Sequence, residues 1–444
     1  MPRQLRNMTQ GNVTKHIILF SLPVLVGNVF QQLYNIIDSI LVGRLVGTDG
    51  LAAVGSVGAI QFLFFSLCLG MSSGIGIVVA QLFGAGNKED VKKGIINGSM
   101  LLLLSSLVIS CGSLLLAGPA LQWMGTPQPI LEDASSFLRI LCVGLIAVAL
   151  YNCVAEILRA LGDSRTPLIF LIISTLINVV LDAFLILVFH MGVQGAALAT
   201  VISQFFSAVG VLLFALNKNP YFRFAKKEWH IDVRIAKQCI RFGLPVALQF
   251  GLIAISCIVL QIVVNEFGTI VIAAFTVTSK INSILSMLFM TLSTTLAAFC
   301  GQNIGAGHID RVRSGFRIGV LIVVVYTLCM APIVFFGGAQ ISRLFVRQPE
   351  VIDFCAKALR IVSLSYLPLG MIYVTRGVLN GAGDTLFAFL SGLIEMLGRV
   401  CLAKPFTMIR VIGVWGIWVA TALTWAATGL LGLLRYRVGK WKTF

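Results

Sequence analysis

Apolar runs long enough to cross a bilayer recur along this chain from Ile17 to Trp425, with few charges inside them. A hydrocarbon core about 30 Å thick takes about 20 helical residues to span. Within it every backbone N–H and C=O must find a partner in its own segment, so such runs fold as helices. The pattern predicts twelve, at roughly 15–43, 51–82, 94–119, 133–159, 165–190, 193–216, 238–265, 271–300, 314–338, 353–380, 385–409 and 412–434. Charged residues make up only 11% of the chain and hydrophobic ones 58%, which excludes an ordinary soluble domain. The first run follows basic residues, as a signal peptide would. Its length, its Gln31, Gln32, Asn35 and Asp38, and the lack of a small-residue cleavage site predict a retained helix instead.

A formal net charge of +16 raises the question of nucleic acid, but the bases sit in short connections between apolar runs. They are Lys88, Lys92 and Lys93, the stretch from Lys218 to Arg241, then Arg311, Arg313 and Arg317, and the tail from Arg435 to Lys442. With Arg3, Arg6 and Lys15, this distribution predicts that both termini and the even-numbered loops are cytoplasmic. No nucleic-acid partner is expected. The ninth connection is the exception, with Arg343, Arg347, Lys357 and Arg360. The ten cysteines lie mostly within apolar runs without CxxC spacing and are read as small core residues.

An internal repeat sets the organisation. Gln81-Leu-Phe-Gly-Ala-Gly86 returns as Gln302-Asn-Ile-Gly-Ala-Gly307, a shift of 305 − 84 = 221. The same shift carries Leu158-Arg-Ala-Leu-Gly-Asp163 onto Leu379-Asn-Gly-Ala-Gly-Asp384, and Gly192-Val-Gln-Gly195 onto Gly413-Val-Trp-Gly416. Leu22-Pro23 meets Leu244-Pro245 one residue out of register. Six crossings per copy is an even number, so the copies form a parallel repeat. The predicted fold is therefore an all-α membrane protein of two six-helix lobes. Residues 1–216 make the first lobe, 217–235 a basic cytoplasmic linker, and 236–444 the second lobe.

A charge at the centre of a membrane helix costs about 2.5 to 3.5 kcal/mol on insertion scales, so each one needs a partner or a task. Asp38, Glu156, Asp182, Lys280, Glu395 and Arg399 all fall in predicted spans. Asn28, Gln31, Asn35 and Asp38 step by three or four residues along one face of the first helix, and Ser174, Asn178 and Asp182 do the same on the fifth. Thr200 and Ser203 face out of the sixth. If these faces converge, two carboxylates, an amide and a hydroxyl make an oxygen-rich pocket that either holds sodium or takes up a proton. The alternative is that they satisfy each other and lock the bundle. Glu156 has Arg159 three residues on and is read as a local ion pair or a working acid; Glu395 and Arg399, four apart, are read as a structural pair. Lys280 has no evident partner.

Met287, Met290, Phe275, Phe289, Tyr366 and Tyr373 are candidates to line an adaptable apolar cavity for aromatic cations, beside the alternative that they face lipid or other helices. Pro23 and Pro245 are candidate hinges or static kinks. The Gly-Ala-Gly turns lack the Gly-Lys-Ser/Thr of a nucleotide loop. Four scattered histidines and the absence of a nucleophile, metal cluster or cofactor motif argue against an enzyme.

Leu22-Pro23 with Asp38, Gln81 to Gly86, Leu161-Gly162-Asp163, Asn178 to Asp182 and their second-half copies together resemble the multidrug and toxic compound extrusion (MATE) transporters over essentially the whole chain, the bacterial MepA-like and DinF-like branches most of all. The resemblance implies twelve helices in two lobes, export of small amphiphilic organic cations across a bacterial inner membrane, and cation coupling by alternating access, without a cofactor. Carried over by position, Asp38, Asn178, Asp182 and Thr200 match the first-lobe cation site, a sodium site if sodium is the coupling ion, and Glu156 resembles a transport acid. Gln31 and Asn35 fall beside that site as cleft lining. Another branch carries acids in helices seven and ten, but Gln249 to Asn265 and Tyr366 to Arg376 contain none. A monomer is expected to suffice. The competing expectation is a flippase for a lipid-linked saccharide, whose phosphates call for several bases in the cleft.

Overall fold

A computed structural model describes residues 6–225, 228–439 and 441. Of the bases used above for orientation, Arg3 and Lys442 lie outside the described residues, as do positions 226 and 227 of the linker. All regular structure among the described residues is helical. The first six helices are α1 (Val13–Leu45), α2 (Thr48–Gly84), α3 (Lys88–Trp123), α4 (Gln128–Ala160), α5 (Arg165–Leu187) and α6 (Gly192–Lys218). The rest are α7 (Val233–Asn265), α8 (Thr269–Gly305), α9 (Ile309–Arg343), α10 (Pro349–Ser363), α11 (Tyr366–Gly381), α12 (Leu386–Met408) and α13 (Gly416–Val438). Eleven are long and apolar enough to cross a membrane, and α10 with α11, counted as one broken span, makes a twelfth.

That twelfth span departs from the expectation of one continuous helix over 353–380: α10 and α11 meet at an angle of 51°. Pro368 lies in the first turn of α11 and offers no N–H to the carbonyl of Leu364, which weakens the ladder at the break. Pro23 and Pro245 behave differently, each lying inside a helix that continues past it. The last span also starts later than expected, after a 3-10 turn at Gly413–Trp415.

The repeat is visible in backbone geometry. Glycines at equivalent places take the same left-handed conformation: φ is 77° at Gly86 and 75° at Gly307, 86° at both Gly162 and Gly383, and 55° at Gly192 and 52° at Gly413. Residues with a Cβ are strained there, so Gly86, Gly162 and their copies follow helix ends, while Gly192 and Gly413 open the next helical turn. The hydrogen bonds repeat as well: Asp163 N–H donates to Leu158 O at 2.8 Å and Asp384 N–H to Leu379 O at 2.9 Å.

The chain divides into two compact units, Met1–Gly251 with Gly301–His308, and Leu252–Cys300 with Ile309–Phe444, so α7 and α8 each contribute to both. In the first unit the Gly-Ala-Gly segments touch backbone to backbone. A Cβ on Gly84 would sit 1.9 Å from the carbonyl oxygen of Gln302, and one on Gly305 would sit 1.9 Å from that of Gln81. Gln302 is fully buried; its Oε1 accepts from Met8 N–H at 2.8 Å, and its Nε2 donates to Ala160 O at 2.8 Å. The segment after α6 is tied to α3 by Lys92–Glu228 at 2.9 Å and by Asp232 N–H donating to Asn97 at 2.8 Å.

Candidate cation site

Within the first unit α1 packs along α5, and α6 lies beside both. The period of the polar stripe on α5 carries Ser174, Asn178 and Asp182 to this contact, and all three are buried. Asp38 of α1 and Asp182 of α5 lie close enough to act on each other electrostatically. One turn earlier, Tyr34 lies in the field of both acids, and its hydroxyl is 2.9 Å from Thr200 Oγ1 on α6. Asp38 Oδ1 is shut off from solvent without a hydrogen-bond partner. Ser203 takes no visible part, since its hydroxyl donates to Thr200 O at 2.9 Å.

The chemistry of the donor set is narrow. Carboxylate, amide and hydroxyl oxygens are hard donors, suited to a proton or a small alkali cation. No group of three His, Cys, Asp or Glu side chains able to hold a metal ion occurs among the described residues. Two carboxylates are acceptors only, so a hydrogen bond between them needs a shared proton, and without it a cation must screen their repulsion.

The sequence-predicted residues gather only in part. Asp38 and Asp182 meet, Asn178 lies one turn from Asp182 on its stripe, and Thr200 joins through Tyr34, while Gln31 is half-buried and Asn35 exposed further along α1. Glu156 stands elsewhere. It accepts from Arg159 Nη2 at 3.0 Å and packs on Gly76 near the C-terminal end of α4. Asp182 is 17 residues into α5, roughly 25 Å from the end of that helix nearest Glu156. Sequence reasoning missed Tyr34. It lies one position off the polar stripe, and only Thr200 of another helix reveals its role.

In the second unit, the expected pair of Glu395 and Arg399 is present only as the longer contact, at 3.9 Å. The close partner of Glu395 is Arg376 of α11, at 2.7 Å. Arg376 also donates to Ser391 Oγ at 3.0 Å, and Arg399 donates to Ser256 Oγ at 2.9 Å. All three charged residues are over nine-tenths buried, which leaves one carboxylate between two guanidinium groups. Lys280 is exposed. Tyr366 is 2% exposed and donates to Asn282 Oδ1 at 2.9 Å, Tyr373 stacks on the buried Phe289, Met287 is half-buried, and Met290 is exposed.

A polytopic helical bundle with an acid pair on facing helices is an architecture suited to a membrane transporter. The MatE family profile matches residues 23–184 and 245–427. Among curated relatives, the probable multidrug resistance protein YpnP of Bacillus subtilis is 30% identical, over 98% of this chain and 97% of its own length. The multidrug export protein MepA of Staphylococcus aureus is 22% identical over 98% and 97%. A solved outward-facing multidrug resistance MATE family transporter of the MOP superfamily superposes with a TM-score of 0.89 at 22% identity, covering 100% of this chain and 99% of that one. The chain belongs to the MATE family of multidrug transporters.

Proposed function

We propose that this protein is a secondary exporter of small amphiphilic organic cations, working by alternating access, in which a proton or sodium ion is exchanged at the Asp38–Asp182 pair. The observation that carries this reading is the meeting of the two acids across α1 and α5, with Asp38 Oδ1 buried and unpartnered. Glu395, by contrast, is held by Arg376 at 2.7 Å. An ion drives transport only if it binds the inward and outward states unequally. Protonating a carboxylate does this where the contact between α1 and α5 changes, because the pair repels when empty and attracts when loaded. One charge moving through 100 mV supplies about 2.3 kcal/mol, so a single ion per cycle sustains a useful gradient.

Thr200 and Asn178 complete the oxygen set for sodium, and Tyr34 orients Thr200. In this reading Glu156 acts as a separate acid at the cytoplasmic end, gated by its bond to Arg159. The basic loops support cytoplasmic termini in a bacterial inner membrane, and a monomer in the bilayer carries the full set of groups.

The test is transport in liposomes. A fluorescent organic cation is followed under an imposed proton gradient and, separately, a sodium gradient, for wild type and Asp38→Asn. Movement under one gradient, lost in the variant, supports the reading and names the ion. Folded wild type that moves no dye under either gradient sinks it, and lipid-linked saccharides become the next cargo to try.

A further inference from the structure

The ninth connection carries a cluster of bases against the charge rule, and the structure gives them a common setting. Arg343 and Arg347 at the end of α9 and Arg360 of α10 line one cavity of about 540 Å³ between these helices. Asp353, the one carboxylate in its lining, is held by Lys357 at 2.7 Å. Arg343 and Arg347 are exposed and have no ion-pair partner among the described residues. Arg360 turns its guanidinium over the ring of Phe335, 6.0 Å from the centroid.

Phe335 also belongs to a second, apolar groove of about 340 Å³, with Leu328, Ala331, Pro332, Phe336 and Leu364 in its walls. The break between α10 and α11 opens it, since Leu364 lies at that break and is 75% exposed. Positions 328, 332, 335, 339 and 343 step by three or four along one face of α9, so groove and basic cavity run end to end. From Arg343 to Leu328 is 15 residues, roughly 22 Å, more than the half-thickness of about 15 Å of a bilayer core.

We propose that this strip binds an anionic phospholipid, its phosphate in the arginine cavity and an acyl chain along the groove toward the bilayer midplane. Charge complementarity and position fix the occupant. Guanidinium groups suit phosphate oxygens, and a strip that starts at the helix end and runs down an exposed apolar face follows the path of a lipid. The same occupant accounts for bases on the side where the charge rule disfavours them.

Detergent-purified full-length protein is titrated with phosphatidylglycerol and with phosphatidylcholine, and bound lipid is counted by native mass spectrometry. Wild type is expected to retain phosphatidylglycerol over phosphatidylcholine. The double variant Arg343→Gln/Arg347→Gln should lose that preference by about thirtyfold, from two surface charges removed. Arg410→Gln removes an exposed base from another odd-numbered connection and should leave it unchanged. Ala331→Trp, which fills the groove, should weaken lipid binding although every arginine remains. Glycerol 3-phosphate, a headgroup without chains, should fail to displace the lipid. Equal retention of both lipids, an Arg410→Gln loss as large as that of the double variant, or full displacement by glycerol 3-phosphate would overturn the proposal.

Discussion

On α5 of the first copy, Ser174 and Asn178 stand one turn apart ahead of Asp182; 221 residues later the same places on α12 hold Glu395, Arg399 and Ala403. The facing helices differ too. Tyr34 and Asp38 of α1 have as counterparts, at a shift of 222, Ser256 and Leu260 of α7. Both interiors are polar at the same depth of the repeat, but they are resolved in opposite ways. The second copy sets its acid against bases, with Glu395 between Arg376 and Arg399 and serines taking one donor of each guanidinium, although Arg399 Nε is left without a partner. The first copy brings together two acids and leaves an oxygen of Asp38 without a partner. Glycine turns, whose φ values agree within a few degrees, hold the scaffold constant while the interior chemistry diverges. On the proposed function, a duplicated frame lets one copy keep an exchangeable ion site while the other becomes a fixed ionic brace.

This contrast can be broken by substitution. Asp182→Asn should reduce gradient-driven transport to the level of empty liposomes while the protein stays folded, because one of the two carboxylates is gone. Transport that survives would place coupling elsewhere. Glu395→Gln should act on stability instead. It leaves two buried guanidinium groups without a carboxylate, a loss of roughly 3 to 5 kcal/mol by analogy with broken buried pairs. A thermal unfolding scan in detergent should show a marked fall in midpoint, and an unchanged midpoint would deny the brace. Gly84→Ala should cost about 1 to 3 kcal/mol, the range for overpacking, since its Cβ would meet a backbone carbonyl that cannot swing away. The same scan measures it. Tyr34→Phe, which removes the hydroxyl 2.9 Å from Thr200, should cost about 1 kcal/mol, seen as a several-fold weaker dependence on the driving ion with folding intact.

Much of the scaffold was legible in the chain because bilayer thickness and backbone hydrogen bonding leave few choices. The apolar runs became helices, and the motif glycines became turns with positive φ. The polar stripes on α1 and α5 were legible for the same reason, since helical period alone puts Asp38 and Asp182 on their faces. What the pattern leaves open is pairing across helices. Arg399 lies four residues from Glu395 and looked like its partner, but Arg376 on α11 takes the short contact. Tyr34 was invisible because its partner is 166 residues away. The break at Leu364 was hidden because hydropathy does not register the missing N–H of Pro368.

The central claim, that the Asp38–Asp182 pair carries the ion exchanged for cargo, is tested most directly by proton release. Purified protein in weakly buffered, sodium-free detergent solution is mixed with tetraphenylphosphonium while an indicator dye reports pH. For the proton-coupled case the account predicts release from wild type and none from Asp38→Asn or Asp182→Asn; for the sodium-coupled case it predicts the same pattern when sodium is added instead. Release of equal size from wild type and both variants, on either addition, would contradict it.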